Sequence, residues 1–408
     1  MNEKVVSQKD PDRRYVGLEH LTAAASGLAG WASSSSSIST NGVFREGDTL
    51  FGKLRPNLRK CVIASFDGYC STDILVLRPT EGTEPRFLGR VMQSEAVFGA
   101  AVRSAIGTKM PRTSWKELRN LQVHAPHPRE QRRIAAILDT VDDAIRKTEQ
   151  IIAKLKQVKQ GLLHDLLTRG IDDNGELRDP VRHPEQFKNS PLGKIPNEWK
   201  VVRLGDDARI IHGYAFEGRF FSDRPEGPIL LTPGNFHRNG GVYFTPGNTK
   251  YFAGRVPDGY TLAKGDLVTV MTDLSPRTLI LGRTVVVEGN VALLLNQRIG
   301  KILTKHEGLW EIALLCHAMN DERVRQRIIR DATGTTVRHT SPSRMLNTVL
   351  ARPDFSEQRQ ICEMLHHHDA RERQELGLAT KLRLLKKAIA EDLLTGRVRV
   401  TPLLEPAP

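Results

Sequence analysis

Between Phe51 and Lys60 the chain reads FGKLRPNLRK, which crowds Lys53, Arg55, Asn57, Arg59 and Lys60 around one proline. Four cations and a side-chain amide at a turn suit the capture of anionic oxygens; the alternative is a solvated basic loop between strands. A later run, TVMTDLSPRTLILGR over residues 269–283, offers Asp273, Ser275 and Arg277 at a comparable turn. Two further stretches, GTKMPRTSWKELRN from Gly107 and GTTVRHTSPSRMLN from Gly334, set hydroxyls beside cations: Thr108, Lys109 and Arg112 in one, Thr335, Arg338 and His339 in the other. Small hydroxyls and exposed N–H groups near Arg make good phosphate ligands, and a strand-to-helix turn kept for packing accounts for the glycines equally well.

No constellation for bond-breaking chemistry accompanies these residues. The chain contains no Gly-rich Walker loop, no Asn-Pro-Pro-aromatic or Asp-Pro-Pro-Tyr motif of adenine methyltransferases and no HExxH. Cys362 and His366 precede and open the run HHHD at a spacing that suits a metal on a helix, but a solvated helix face is the expected reading. No catalytic residue and no metal site is assigned. The formal net charge is +13, and a surplus of Lys and Arg favours polyanions by counterion release, if it is not merely that of a soluble basic protein. Cys61, Cys70, Cys316 and Cys362 form no CxxC pair and no apolar leader opens the chain, so a reducing cytoplasm is expected. No apolar run approaches 18 residues, which predicts no membrane span.

The candidate residues sit in a duplicated frame. PHPREQRRIAAILDTVDDAI, residues 126–145, returns as PDFSEQRQICEMLHHHDARE, residues 353–372, and Pro126/Pro353, Glu130/Glu357 and Thr168/Thr395 all stand 227 apart. Carried without a gap from Met92/Met319 to Thr168/Thr395, that register makes 25 of 77 pairs identical, against a chance level of roughly 1 in 15. The period is far too long for a solenoid, so two similar half-molecules lie in tandem.

Each half divides into a globule and a long helix. From Arg129 to Thr168 apolar residues recur three or four apart (Ile134, Leu138, Val141, Ile145, Ile152, Leu155, Leu162, Leu166) with no internal proline, which predicts an amphipathic helix close to 60 Å long. Residues 356–394 repeat it with Ile361, Leu365, Leu382, Leu385, Ile389 and Leu393, and two such helices pack most economically as an antiparallel coiled coil. Short β-rich runs (61–64, 73–79, 227–232, 266–271, 277–287) followed by helical stretches at 86–105 and 309–332 make each globule α+β. The Gly-, Pro- and Asp-rich residues 170–199 read as a linker or long surface loop.

This duplicated plan, with Glu-Gln entering a long helix that closes in LLHDLLTR and with GKIPNEWKVVRLGD opening the second globule, resembles the specificity subunit of type I restriction-modification enzymes over almost the whole chain. The resemblance implies an α+β protein of two tandem target recognition domains, each followed by a long α-helix, the helices forming an antiparallel coiled-coil spacer. The corresponding expectation is a first recognition domain at 1–125, a spacer helix at 126–170, a linker at 171–195, a second domain at 196–351, a second spacer helix at 352–397 and a tail at 398–408. It implies double-stranded DNA as partner, read as a split target, with two methyltransferase subunits docked on the spacer and restriction and motor subunits supported by them. S-adenosylmethionine, ATP and Mg²⁺ then belong to those partners, with no cofactor in this chain. The basic loop 53–60, the 273–277 turn, the Gly-Thr elements and Asn235 in TPGNFHRNGG become candidate base and phosphate contacts. Alternatives are an orphan DNA-binding protein that works without partners, and an adaptor whose helices serve protein assembly. One departure stands out: the second globule opens with IPNEWKVVRLGD, whereas the first reaches RRYVGLEHL by residue 13. The first domain is shortened, is completed in space by the linker or by residues after Arg397, or begins at a truncated gene start.

Overall fold

A computed structural model describes residues 4–5, 12–22, 27–36, 39–275, 277–289, 291–335 and 337–403. Its helices are α1 (Pro85–Met92), α2 (Glu95–Arg103), α3 (Trp115–Leu118), α4 (Pro128–Thr168), α5 (Leu204–Asp207), α6 (Ile312–Asn320), α7 (Glu322–Arg330), α8 (Pro342–Leu346) and α9 (Phe355–Leu394). Two compact units result: unit 1 holds Met1–Lys154 with Glu372–Pro408, and unit 2 holds Leu155–Arg371. The boundary cuts both long helices, so each unit contains one globule and a stretch of each helix. No helix among the described residues is long and apolar enough to cross a membrane.

In unit 1 an antiparallel sheet ordered Cys61–Ile63, Thr49–Gly52, Ile74–Leu77 lies beside a five-stranded sheet that includes Asn41–Phe44, Gly68–Ser71 and Arg14–Val16. Phe51 and Cys61 from the first sheet pack with Phe87, Val91, Val97 and Phe98 of α1 and α2, and with Ile134 and Leu138 of α4. The single helical stretch expected at 86–105 is broken because Ser94 adopts extended backbone and its hydroxyl accepts from the Val97 N–H, capping a new helix. Unit 2 repeats the plan. An antiparallel sheet ordered Ala208–His212, Ile299–Thr304, Leu267–Val270, Thr284–Val286 packs on α6 and α7, where Asp321 starts the second helix by accepting from the Arg323 N–H.

The repeated Glu-Gln at the start of each long helix is buried and does the same work twice. Gln131 accepts from the Glu84 N–H at 2.9 Å and donates to the carbonyls of Pro126 and Gly82; Gln358 accepts from the Glu311 N–H at 2.8 Å and donates to those of Pro353 and Leu309. The amide thus ties the residue that caps α1 or α6 to the first turn of the long helix. The neighbouring carboxylate holds the tail of the other long helix. Glu357 receives the Ile171 N–H at 2.9 Å, Arg178 at 2.6 Å and the Trp199 indole N–H at 3.0 Å. Glu130 receives Arg399 at 2.8 and 2.6 Å and the Val400 N–H at 3.1 Å, and the Arg399 guanidinium holds its carboxyl below the usual range.

Two expectations change here. Residues 171–195 are not a free linker: Ile171, Leu192 and Ile195 are buried in the core of unit 2, and Phe187–Ser190 pairs with Gly193–Pro196 as a hairpin. The apolar residues are too sparse for the segment to show a period of its own, so only the tertiary partner reveals them. In unit 2 the opening strand Lys200–Arg203 pairs with Val349–Arg352, while the matching residues 122–125 of unit 1 carry no strand. The chain after Arg397 enters the unit 1 core with Val400, whose N–H meets Glu130 as that of Ile171 meets Glu357 in unit 2.

A second repeated contact joins globule to helix, with different chemistry in each half. In unit 1 the buried Arg90 of α1 pairs with Asp139 and Asp142 of α4, and Asp142 also meets Lys386 of α9. At the repeat-related positions of unit 2 stand His317, Asp369 and Lys159, with Lys159 paired to Asp369. Burial first, and then Lys159, push the His317 pKa below its ordinary 6.5, opposed by Asp369.

Two outcomes follow from these joints. Glu357→Ala should cost unit 2 about 3–5 kcal/mol in denaturant unfolding, because the Trp199 indole and Arg178 lose their buried acceptor and Arg178 retains as counter-ion the exposed Glu198; Glu130→Ala should cost less, since Arg399 is half exposed and regains water. Because the folded state resists protonating His317, unit 2 should keep full stability above pH 6.5 and lose it as the pH falls toward the lowered folded pKa. His317→Gln should flatten that part of the stability–pH curve.

Candidate nucleic-acid interface

The basic loop and the Gly-Thr element, half a domain apart in sequence, are one structure. In unit 1 the Arg55 N–H donates to the Pro111 carbonyl at 2.7 Å, the Thr113 N–H to the Lys53 carbonyl at 3.1 Å, and Ile106 and Arg112 exchange both backbone bonds at 3.0 Å. Unit 2 builds the same pair: Thr272–Asp273 ladders with Arg338–His339, the Thr340 N–H donates to the Met271 carbonyl at 2.9 Å, and Thr333 and His339 exchange bonds at 2.9 and 2.8 Å. Gly107 and Gly334 hold φ of 114° and 94° at equivalent turns, and a Cβ on Gly334 would lie 2.0 Å from the Val337 carbonyl oxygen, so packing requires glycine there.

These loops are strained. Among the described residues, the non-glycine positions with positive φ are Arg55 (51°), Arg59 (55°) and Thr278 (51°), all in the two strand-to-strand loops. A left-handed residue with a Cβ costs about 1–3 kcal/mol, most awkwardly for a β-branched threonine, and persists where the surroundings impose it. In unit 1 the clamp onto residues 109–113 imposes it. In unit 2 the buried Asp273 carboxylate does so by accepting the N–H groups of Ser275 (2.7 Å), Ile280 (2.7 Å) and Leu281 (3.2 Å).

The candidate side chains separate by what they touch. Arg55 and Asn57 are exposed on the loop tip; Arg55 reaches the Lys109 carbonyl at 3.4 Å, and Asn57 has no side-chain partner among the described residues. Lys53 is half-buried behind them, and Thr108 and Lys109 are exposed on the facing turn. Arg59 pairs with Glu95 at 2.8 Å and lies over the Phe98 ring; the pair is open to water, so it is weak and exchangeable. Lys60 donates to the Leu18 carbonyl at 2.6 Å, and Arg112 grips Asp73 bidentately at 2.9 and 3.1 Å, holding the Asp73 carboxyl below its usual range. Lys60 and Arg112 therefore brace the loops. In unit 2, Arg277 and Thr335 are exposed, Ser275 is half-buried with its hydroxyl accepting from the Leu279 N–H, and His339 is exposed with Nδ1 3.1 Å from the Thr272 hydroxyl.

Three expected contacts are corrected. Asn235 is fully buried: its Oδ1 accepts from the Thr232 N–H and hydroxyl, and its amide donates to the Asn248 carbonyl, so nothing remains to read a base. Asp273 is spent on the three N–H groups already described. Arg338 donates to the carbonyls of Gly334 and Ile329 and clamps its own turn. Polar side chains at loops look alike in sequence whether they face solvent or organise the backbone. The opposite error concerns exposed apolar groups. Ile106 is 82% exposed and Met110 is also exposed on the turn facing Arg55, and Leu274 and Leu279 are exposed on the Asp273 loop. Nothing in local sequence marks them as surface residues.

Known proteins were compared with this chain. Residues 50–157 match the family model described as the type I restriction modification DNA specificity domain. The specificity subunit of the type I restriction enzyme MjaVIII of Methanocaldococcus jannaschii is 25% identical over 73% of this chain and 67% of its own length. That of EcoBI of Escherichia coli is 26% identical over 52% of this chain and 42% of its own. Among solved structures, one described as the structural basis of complex assembly and conformational transition of the type I R-M system aligns at TM-score 0.61 and 19% identity, covering 95% of this chain and 92% of that one. The HsdS subunit of Thermoanaerobacter tengcongensis aligns at TM-score 0.50 and 19% identity, over 98% and 94%.

Arg55→Ala and Arg277→Ala should relax recognition in different halves of a split DNA target, one each, by about 1–3 kcal/mol at the affected base pair. Competition binding against single-base variants reads this out; equal weakening on all sequences would make both residues phosphate contacts. Residues 50–157 thus resemble the type I restriction modification DNA specificity domain, and over about three quarters of its length the chain is similar to a type I restriction enzyme specificity subunit.

Proposed function

We propose that this chain is a non-catalytic specificity subunit that reads a bipartite DNA target, one half with each globule, and docks its methyltransferase partners through the two long helices. The observation that carries the reading is the loop pair built twice, 227 residues apart, each time on a globule tied by a buried Gln to the first turn of a long helix. A protein that binds one contiguous site has no need of two such constructions.

Several features support the finer parts. In unit 1, Asp142 pairs with Lys386 and Glu149 with Arg383, so rising numbers on α4 meet falling numbers on α9, the register of an antiparallel pair. An antiparallel coiled coil of helices 41 and 40 residues long makes a stiff spacer of fixed length between half-sites. Both helices expose aliphatic side chains at the same repeat positions: Ile151 matches Leu378 and Val158 matches Leu385, one heptad on. Large aliphatics exposed at repeat-equivalent positions suit two copies of one partner. Two methyltransferase subunits fit that requirement, and S-adenosylmethionine, ATP and Mg²⁺ chemistry would reside on them and on the restriction and motor subunits they support.

The test is co-expression with the methyltransferase subunit encoded in the same genome, followed by single-molecule sequencing for methylated adenine. A split motif with a fixed gap is the expected result. A stable complex that leaves adenines unmodified, or no complex at all, would overturn the reading.

A further inference from the structure

Scattered exposed aliphatics are ordinary on a protein surface and say nothing singly. Five stand on these loops, Leu58 on the 53–60 loop and two pairs, and the pairs are not scattered. Ile106 and Met110 stand on the turn that the Ile106–Arg112 bonds close, beside Arg55 and Lys109. Leu274 and Leu279 stand on the loop that the Asp273 carboxylate folds, beside Arg277 and His339. Each globule therefore presents a pair of large aliphatic groups at the tip of the same loop pair, beside the exposed cations Arg55 and Lys109 in the first and Arg277 in the second, with Leu58 exposed in addition in the first.

Exposed cations match phosphates, and an aliphatic pair beside them does not. The apolar feature that a duplex offers between its phosphates is the 5-methyl group of thymine on the major-groove edge. We propose that Ile106 and Met110 in the first globule, and Leu274 and Leu279 in the second, read thymine by contact with its methyl group, and so contribute to sequence choice beside the polar readers. The inference rests on the specificity reading above and adds a chemistry to it.

The experiment uses the full chain in complex with its methyltransferase subunits and a duplex carrying the split target found by adenine sequencing. Thymines are replaced by deoxyuridine, which removes the methyl alone, one half-site at a time, and affinity is read by fluorescence anisotropy. The expected loss is about four-fold for each contacted methyl, the equivalent of ~0.8 kcal/mol. The double variant Ile106→Ala, Met110→Ala should bind the thymine duplex more weakly and no longer distinguish deoxyuridine in the first half-site, while still distinguishing it in the second. Leu274→Ala, Leu279→Ala should do the reverse. All four side chains are exposed, so unchanged melting temperatures confirm that binding alone is affected. Wild-type complex indifferent to deoxyuridine in both half-sites, with preference for the split target intact, overturns this inference alone. Variants that weaken binding yet keep the deoxyuridine difference also overturn it and point to an apolar wedge between base steps. Loss of split-target preference by the wild-type complex itself overturns the specificity reading and the inference with it.

Discussion

Everything in each half hangs on one buried turn. At the first turn of α4 and again of α9, a glutamate and a glutamine with no access to water bind three separate pieces of chain: the helix-capping residue of the globule, the loop entering the helix, and the tail leaving the other long helix. A carboxylate out of water must be fully paired, and both are. The consequence is geometric. The globule cannot rotate on its helix without stripping hydrogen bonds from a buried side chain, so the paired loops are carried at a fixed orientation to the helix that begins there.

The same contacts make the chain cyclic in its bonding. The tail of α4 closes on the start of α9 through Ile171, Arg178 and Glu357, and the tail of α9 closes on the start of α4 through Arg399, Val400 and Glu130. Each globule thereby receives help from both helices, and Val400 after the second one joins the core of the first globule. The two closures differ in strength: Arg178 is buried with Glu357, whereas Arg399 is half exposed. The second joint differs too, with a permanent cation, Arg90, in one half and an imidazole, His317, in the other.

At the loops the division of labour is between bracing and reaching. Asp73, Asp273, Arg112 and Arg338 spend their charge on the protein, and the loops they brace carry Arg55, Asn57, Lys109 and Arg277 exposed, with Arg55, Arg59 and Thr278 on backbone that is otherwise unfavourable. A flexible loop would have to be ordered on binding any ligand; these loops are ordered by their own hydrogen bonds.

What the sequence determined by itself was whatever repeats locally. Helical periodicity placed the long helices at 129–168 and 356–394 against observed bounds of Pro128–Thr168 and Phe355–Leu394, and the constant 227-residue offset exposed the two halves. The strands at Cys61–Ile63, Ile74–Leu77 and Leu267–Val270 were likewise legible from short apolar runs. Tertiary structure decided which polar residues are free. Asn235 and Asp273 have the composition of recognition residues and are interior backbone ligands, Ile106 has the composition of a core residue and is solvent-exposed, and the polar stretch 171–195 belongs to a core. Periodicity is a property of neighbours along the chain, whereas burial and hydrogen-bond partnership depend on segments 13 to 270 residues away, as in the Asn235–Asn248 and Glu130–Val400 contacts.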